Sequence, residues 1–381
     1  MKKLIIFILC LFLSGCGNYA ELNSLSIVTG IAIDKDEENY EISFLIANSP
    51  KSQTSSKEGE SKTTVYTGKG KTIPEAAEEI AQISPKQLYF GHINVVIISE
   101  DIAKEGIFKV SDWLLRNPQT RKKFYLLQAK DTKAKNIIKL TSPLESFPSQ
   151  SIATLIKSNK NSKSIATAVT YSNFIETALE KGIDPVLPSI TIEGDIKKGS
   201  SEKNLETTEP EAYLKLGPLA IYKKDKLKGF TTNKESEIIN ILKNDAKEIN
   251  YTLKNISIDA RDIKVKTKAS ENKVKITVEG KGNIYEIKEN INLENPKEIK
   301  KIEEKWNESI KKDITKVIQK MQEKETDVFG YGSQIYKNSP KKWQEIEKTW
   351  NKKNFKKLKI EINSNLKIYA TGSLTKTIGG K

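Results

Sequence analysis

One cysteine sits where a thiol could be put to use. Leu13-Ser14-Gly15-Cys16 closes a short apolar run, Leu4 to Leu13, that follows Lys2 and Lys3. A positive start, an apolar stretch of this length and small residues at its end form a signal-peptide pattern. Leucine, two small residues and cysteine at that point fit a bacterial lipobox. Cys16 would then carry an S-diacylglycerol and, after cleavage, an N-acyl group. The bland alternative is an ordinary secretory signal that contains a cysteine. The run is about half the ~20 residues needed to span a bilayer.

The other candidate chemistries are weaker. Gly68-Lys69-Gly70-Lys71-Thr72 lies between a strand and a helix, the setting of a phosphate loop. That loop needs a glycine five residues before Gly70, where Val65 stands, so a turn and a helix cap explain the same letters. His92 is the sole histidine, flanked by Tyr89, Phe90 and Ile93, and any Ser-His or Cys-His catalysis would have to pass through it. Gly330-Tyr331-Gly332-Ser333-Gln334 lacks the last glycine of a nucleophile elbow. Glu37-Glu38, Glu78-Glu79 and Glu303-Glu304 fall on turns or solvated helix faces. The only cysteines are Cys10, lost with the signal, and Cys16, so neither a disulfide nor a thiolate metal site is expected. The sequence predicts no catalytic residue, no cofactor and no metal.

The elements around these residues alternate. Ser26 to Ile33 and Tyr40 to Ala47 read as strands joined by a polar turn, and Ser49 to Lys62 as a loop. Thr63 to Thr67 is a short strand. Thr72, with Glu75 three residues on, predicts a capped helix to about Gln82. Leu88 to Ser99 is strand-like, with Gly91-His92 as a turn inside it. A helix over about 102–115 should stop at Asn117-Pro118. Phe124 to Ala129 is a buried strand, and residues 134–181 are mostly helical. Ile183 to Pro188 is too proline-rich for either element and should be an extended connection. Tyr213 to Tyr222 reads as a strand broken by Gly217-Pro218, Glu235 to Lys247 as a helix, and Thr252 to Leu293 as three or four alternating strands. The longest helix spans Pro296 to Glu325. Its stripe of Ile299, Ile302, Trp306, Ile310, Ile314, Val317 and Met321 predicts packing on the sheet, with partner or membrane binding as the rival. A second helix over about 340–352 and closing strands over 357–375 follow.

The expectation is therefore an α+β chain of several domains. Residues 1–15 are the signal, 16–135 a mixed α/β domain, 136–193 a mostly helical segment, 194–210 a linker, and 211–381 an α+β domain with an antiparallel sheet packed on a long helix. The formal net charge of +15 invites a nucleic-acid reading. Against it, the only arginines are Arg116, Arg121 and Arg261, and the lysines alternate with glutamates along most helices. No nucleic acid is expected; an anionic membrane suits this charge better.

Seven stretches, in order, resemble the Ger(x)C family, the C-subunit lipoproteins of spore germinant receptors. They are the lipobox with Glu21-Leu22-Asn23, then Ile33-Asp34, Gly91-His92-Ile93 with Val95-Val96-Ile97-Ile98, and Leu114-Leu115-Arg116-Asn117-Pro118. The C-terminal half adds Leu216-Gly217-Pro218-Leu219-Ala220-Ile221 and Asp327-Val328-Phe329-Gly330-Tyr331-Gly332. One departure is Gly17-Asn18, where the family often carries Trp-Asp. The resemblance implies a non-enzymatic subunit on the outer face of the spore inner membrane. It would be held there through Cys16 and work with integral-membrane A and B subunits in responding to small germinants. The competing class is a solute-binding lipoprotein of a transporter, which needs two α/β lobes that close on a ligand.

Overall fold

The computed structural model describes residues 21–48, 61–162, 165–201, 203–288 and 291–371. Cys16 and its lipobox lie outside them, as does most of the 49–62 loop.

The first half builds one large sheet. Its strands are β1 (Leu25–Asp36), β2 (Asn39–Ala47), β3 (Thr63–Gly70), β4 (Gln87–Tyr89), β5 (Val95–Ile98), β6 (Tyr125–Ala129), β7 (Val186–Gly194), β8 (Ala212–Lys223) and β9 (Lys226–Phe230). The order is β3-β2-β1-β5-β6-β7-β8-β9, with β4 beside the start of β1. β1, β5, β6 and β7 run parallel, and antiparallel pairs close both flanks.

Helices cover both faces: α1 (Ile73–Ile83), α2 (Glu100–Glu105), α3 (Phe108–Arg116), α4 (Ala134–Lys139), α5 (Pro148–Ser162) and α6 (Tyr171–Leu179). Alternation along each strand divides the core. Ile31, Ile33, Val96 and Ile98 face the layer that holds α1, α2, α3 and α6, whereas Ala32, Val95 and Ile97 face α4 and α5. The unbroken apolar run Val95–Ile98 is thus a strand buried on both faces, as parallel strands under crossover helices must be.

Several boundaries differ from the sequence reading. The helix expected over 102–115 is two helices separated at Gly106. Pro188 lies within β7, not in an open connection, and the register shifts between Pro188 and Ser189. A bulge is where a residue without an N–H can sit inside a ladder. Residues 194–210, expected as a linker, carry the short helices α7 (Ile196–Gly199) and α8 (Lys203–Glu206). Beyond them β8 pairs with β7, and β9 with β8, in the large sheet and not in the C-terminal one.

The second half follows α9 (Asn233–Leu242), whose start is fixed by a capping box of Thr232 and Glu235. β10 (Ile249–Leu253), β11 (Ile256–Ala269) and β12 (Lys273–Ile287) form an antiparallel meander. The long helix α10 (Pro296–Glu323) then crosses back, followed by α11 (Tyr331–Asn338) and α12 (Pro340–Ile346). Turns of 3-10 and π type over 347–357 lead into β13 (Lys359–Ala370). β13 runs parallel to β12, the orientation that a helical crossover produces.

The apolar stripe of α10 is buried from Ile302 through Trp306, Ile310, Ile314, Val317 and Met321, in one core with Ile258, Val274, Ile276 and Val278 of the sheet. The helix therefore packs inward, and the rival use of its stripe falls away. Val186, Leu219 and Ile221 of the large sheet join this same core, so the two halves share a continuous apolar seam.

Candidate functional site

The residues singled out in the sequence fall at scattered places. Gly68 and Gly70 end β3 directly beneath α1. A Cβ on Gly68 would lie 2.2 Å from the Ala76 carbonyl oxygen, and one on Gly70 would lie 2.6 Å from the Ala76 nitrogen. The helix backbone occupies the space a phosphate would need, so these glycines serve close packing. Thr72 caps α1 by accepting from the Glu75 N–H at 3.3 Å, while the Glu75 carboxylate accepts from the Lys71 N–H at 2.7 Å. His92 is exposed on the β4–β5 turn, its ring 5.7 Å from that of Tyr89. Ser333 donates to Glu180 at 2.6 Å, and Glu180 in turn pairs with Lys337 at 2.7 Å, so the carboxylate beside this hydroxyl is held in an ion pair and no histidine accompanies it. Glu79 accepts from the Lys69 N–H, and Glu303 from the Ile368 N–H at 2.8 Å; both are structural acceptors. Among the described residues no cluster of three or more His, Cys, Asp or Glu could hold a metal ion.

What the chain does bring together is a buried joint of two aspartates. Asp327 follows α10 and is fully buried. Its Oδ1 accepts the N–H groups of Gly330 (3.0 Å) and Tyr331 (3.2 Å), and its Oδ2 accepts those of Gly332 (2.8 Å) and the Trp350 indole (3.1 Å). A carboxylate placed before a helix takes up amides that have no partner within the helix, which explains why α11 begins at Tyr331. Asp184, just before β7, is 3% exposed. It accepts from the Lys224 N–H (3.0 Å), the Asp327 N–H (3.0 Å) and the Asn351 amide (3.1 Å).

Two glycines complete the contact. Gly182, at φ +72°, meets Gly332 so closely that a Cβ on it would lie 2.3 Å from the Gly332 carbonyl carbon. The Gly182 carbonyl accepts the Ser333 N–H at 2.9 Å. Around them Tyr331, Trp343, Trp350 and Phe355 stack ring against ring, Trp343 to Trp350 at 5.6 Å and Trp350 to Phe355 at 6.0 Å.

Burial pushes the Asp327 carboxyl up to about 7, against the pull of the Gly332 and Tyr331 amides and the Trp350 indole, with Asp184 adding to the rise. Burial likewise raises Asp184, opposed by the Lys224 and Asp327 amides. A raised pair of carboxylates is a mark of acid–base sites. Here every carboxylate oxygen already accepts from a donor of the protein itself, so the pair serves to fasten the two halves. A cleft of ≈ 630 Å³ adjoins the joint, with Gly182, Asp184, Trp350 and Asn351 among its lining residues beside Phe108 and Leu179.

Asp184 and Asp327 lie 143 residues apart, and no local sequence pattern connects them. The available signal is an aspartate heading the glycine-rich stretch 327–332, a pattern that can cap a helix.

Comparisons with known proteins agree over most of the chain. Residues 18–192 match the model "Spore germination protein N-terminal domain", and residues 218–372 match "Spore germination B3/ GerAC like, C-terminal". Spore germination protein A3 of Bacillus subtilis (strain 168) is 31% identical, over 96% of this chain and 96% of its own. Spore germination protein KC of the same organism is 28% identical, over 94% of this chain and 93% of its own. The crystal structure titled GerBC protein covers 92% of this chain and 100% of its own, with a TM-score of 0.51 at 16% identity, a likeness of fold.

Proposed function

Because this chain belongs to the GerAC-like family of spore germination proteins, the C subunits of germinant receptors, we propose that it is the lipid-anchored, non-enzymatic subunit of such a receptor. Cys16 carries the lipid, and the protein lies on the outer face of the spore inner membrane. Its partners are the integral-membrane A and B subunits, with which it supports the response to small-molecule germinants. The single observation that carries this reading is the ordered match of both halves, the first of which begins at residue 18, two positions beyond Cys16. Two acyl chains supply the kind of stable hold that one chain does not. Among the described residues no helix is long and apolar enough to cross a membrane, so a covalent lipid is the anchor that fits. The transporter alternative asks for two α/β lobes closing on a ligand, whereas the second half is a four-stranded sheet under one long helix.

The test is dipicolinic acid release from spores that lack this gene, across a panel of amino-acid, sugar and nucleoside germinants. Loss of response to one class, with the others intact, is expected. Spores that also lack the nearest paralogues and still respond to every germinant would overturn the reading. Cys16→Ala should reproduce the deletion and leave the protein out of the membrane fraction.

A further inference from the structure

We propose that the end of the large sheet formed by the starts of β1, β4, β5 and β6 lies on the anionic headgroup surface of the membrane, and that a cluster of unpaired cations there sets the orientation of the protein. The inference rests on the lipid anchor at Cys16. Parallel pairing fixes the geometry: Gly30 of β1 stands opposite Val95 of β5, and Val95 opposite Tyr125 of β6, so these strands begin at one end of the sheet. β4 runs parallel to β1 at its first residues, Leu25 opposite Gln87. Ser26 meets Ser84 at 3.2 Å and ties the end of α1 to the same place. The described chain begins at this end, at Glu21. Only five residues separate Glu21 from Cys16, a span of at most about 18 Å when fully extended. The bilayer surface is therefore within that reach of this end.

Charge distinguishes the two ends. The near end carries Lys86, Arg121, Lys122 and Lys123, of which Lys86, Arg121 and Lys123 are exposed. The loop holding the last three is fastened to the β4–β5 turn by Gln119, which accepts the Phe90 N–H at 3.3 Å. Among the described residues, none of these four cations has a carboxylate within 4 Å, and Glu21 is the acidic residue at the chain's entry. Ile83, 54% exposed, and Pro85 stand beside Lys86. At the far end the order of charge reverses. The β1–β2 turn carries Asp36, Glu37 and Glu38, and α2 opens with Glu100 and Asp101. There Lys69 is taken up by Asp36, Lys104 by Glu100 and Lys130 by Asp131, whereas the ammonium of Lys71, just past the end of β3, has no carboxylate within 4 Å among the described residues. The start and end of β1, 12 residues long, are about 40 Å apart, and the starts of β5 and β6, level with Gly30, are about 20 Å from Asp36. Exposed cations without acidic partners, next to the point of tethering, are what an anionic lipid surface attracts within a Debye length.

The experiment uses the lipidated full chain in phosphatidylglycerol vesicles containing a headgroup quencher. Signal cleavage removes Cys10 and lipidation blocks Cys16, so an introduced cysteine is the one free thiol. Gln87→Cys and Lys123→Cys report on the near end and Glu38→Cys on the far end, each carrying a polarity-sensitive dye. At least twofold stronger quenching at positions 87 and 123 than at 38 is expected. The difference should vanish in phosphatidylcholine vesicles, and in the Gln87→Cys protein when Lys86→Glu and Lys123→Glu are added. Equal quenching at all three positions, in protein that floats with the vesicles, would overturn the orientation while leaving the anchor standing. A mature N-terminal peptide without the mass of a diacylglyceryl group would overturn the anchor, and this inference with it.

Discussion

Asp184 and Asp327 hold each other twice: the Asp184 N–H donates to the Asp327 carbonyl at 2.9 Å, and the Asp327 N–H donates to the Asp184 carboxylate at 3.0 Å. They are 143 residues apart in sequence. One ends the connection into β7 of the large sheet, the other the connection out of α10. The clasp fastens the two halves beside their shared apolar core.

That clasp should be sensitive to pH. Burial raises the Asp327 carboxyl to about 7 and raises Asp184 as well. An unfolded aspartate titrates near 3.9, so the folded state binds these protons more tightly than the unfolded state does. The resulting stability is fully present below the unfolded value and is lost as pH rises through the folded one. The thermal midpoint should therefore fall between pH 5.5 and pH 8. In Asp327→Asn the side chain no longer titrates, and the slope should flatten although the protein is less stable throughout, because an amide NH2 now faces N–H donors. An unchanged slope in this variant would mean that Asp327 ionises in the folded state as freely as in the unfolded chain.

The glycine pair gives a second, independent measure of the joint. A Cβ on Gly332 would lie 2.6 Å from the Trp350 indole nitrogen and 2.8 Å from Gly182 Cα. Gly182→Ala and Gly332→Ala should each cost about 2–4 kcal/mol in urea denaturation, the range of core overpacking with backbone strain. Since both push on the same contact, the double variant should cost less than the sum. Strict additivity would show that the two backbones part freely.

β13 is the outer strand of the C-terminal sheet, and its free edge is partly closed by α10. Asn307 donates to the Leu366 carbonyl at 3.0 Å and accepts from the Leu366 N–H at 2.9 Å, as a neighbouring strand would, and Glu303 takes the Ile368 N–H. Such a cover keeps an edge from pairing with another copy. Asn307→Ala should cost about 2 kcal/mol through backbone groups left without partners. It should also shift the protein toward dimers in sedimentation velocity at high concentration. Unaltered stability and a monomer would show that water replaces Asn307 without loss.

Much of this architecture is legible in local pattern. The spacing of Ile302, Trp306, Ile310 and Ile314 marks one face of α10, the run Val95–Ile98 marks a strand covered on both sides, and Thr72 with Glu75 marks a helix start. Partnership is not local. Alternating polarity in β13 says which side faces α10 but carries no direction, so its parallel pairing with β12 came from the crossover. β8 and β9 join the large sheet through β7, a choice set by pairing across residues 195–211 and invisible in either strand. The glycines at 330 and 332 hid α11, because its start is set by Asp327 and held by Asp184, far away in sequence.

Ile33-Asp34, one of the stretches that carried the family resemblance, has a physical role of the same kind. Asp34 ends the buried part of β1, is 1% exposed, and accepts the N–H groups of Ala134 (2.7 Å) and Lys135 (2.8 Å) at the start of α4. It thus caps a helix 100 residues away and pins it to one face of the sheet. Glu41, its cross-strand neighbour, takes the Lys135 ammonium at 2.9 Å, so strand pair and helix are fastened by two adjacent carboxylates. Asp34→Ala should leave two buried amides without acceptors and cost about 2–3 kcal/mol, the combined loss of a cap and of its buried bonds. Hydrogen exchange would locate the damage: the amides of α4 should lose protection, whereas those of β10 to β12 should not. Equal loss in both halves would mean that Asp34 supports the whole molecule rather than one helix.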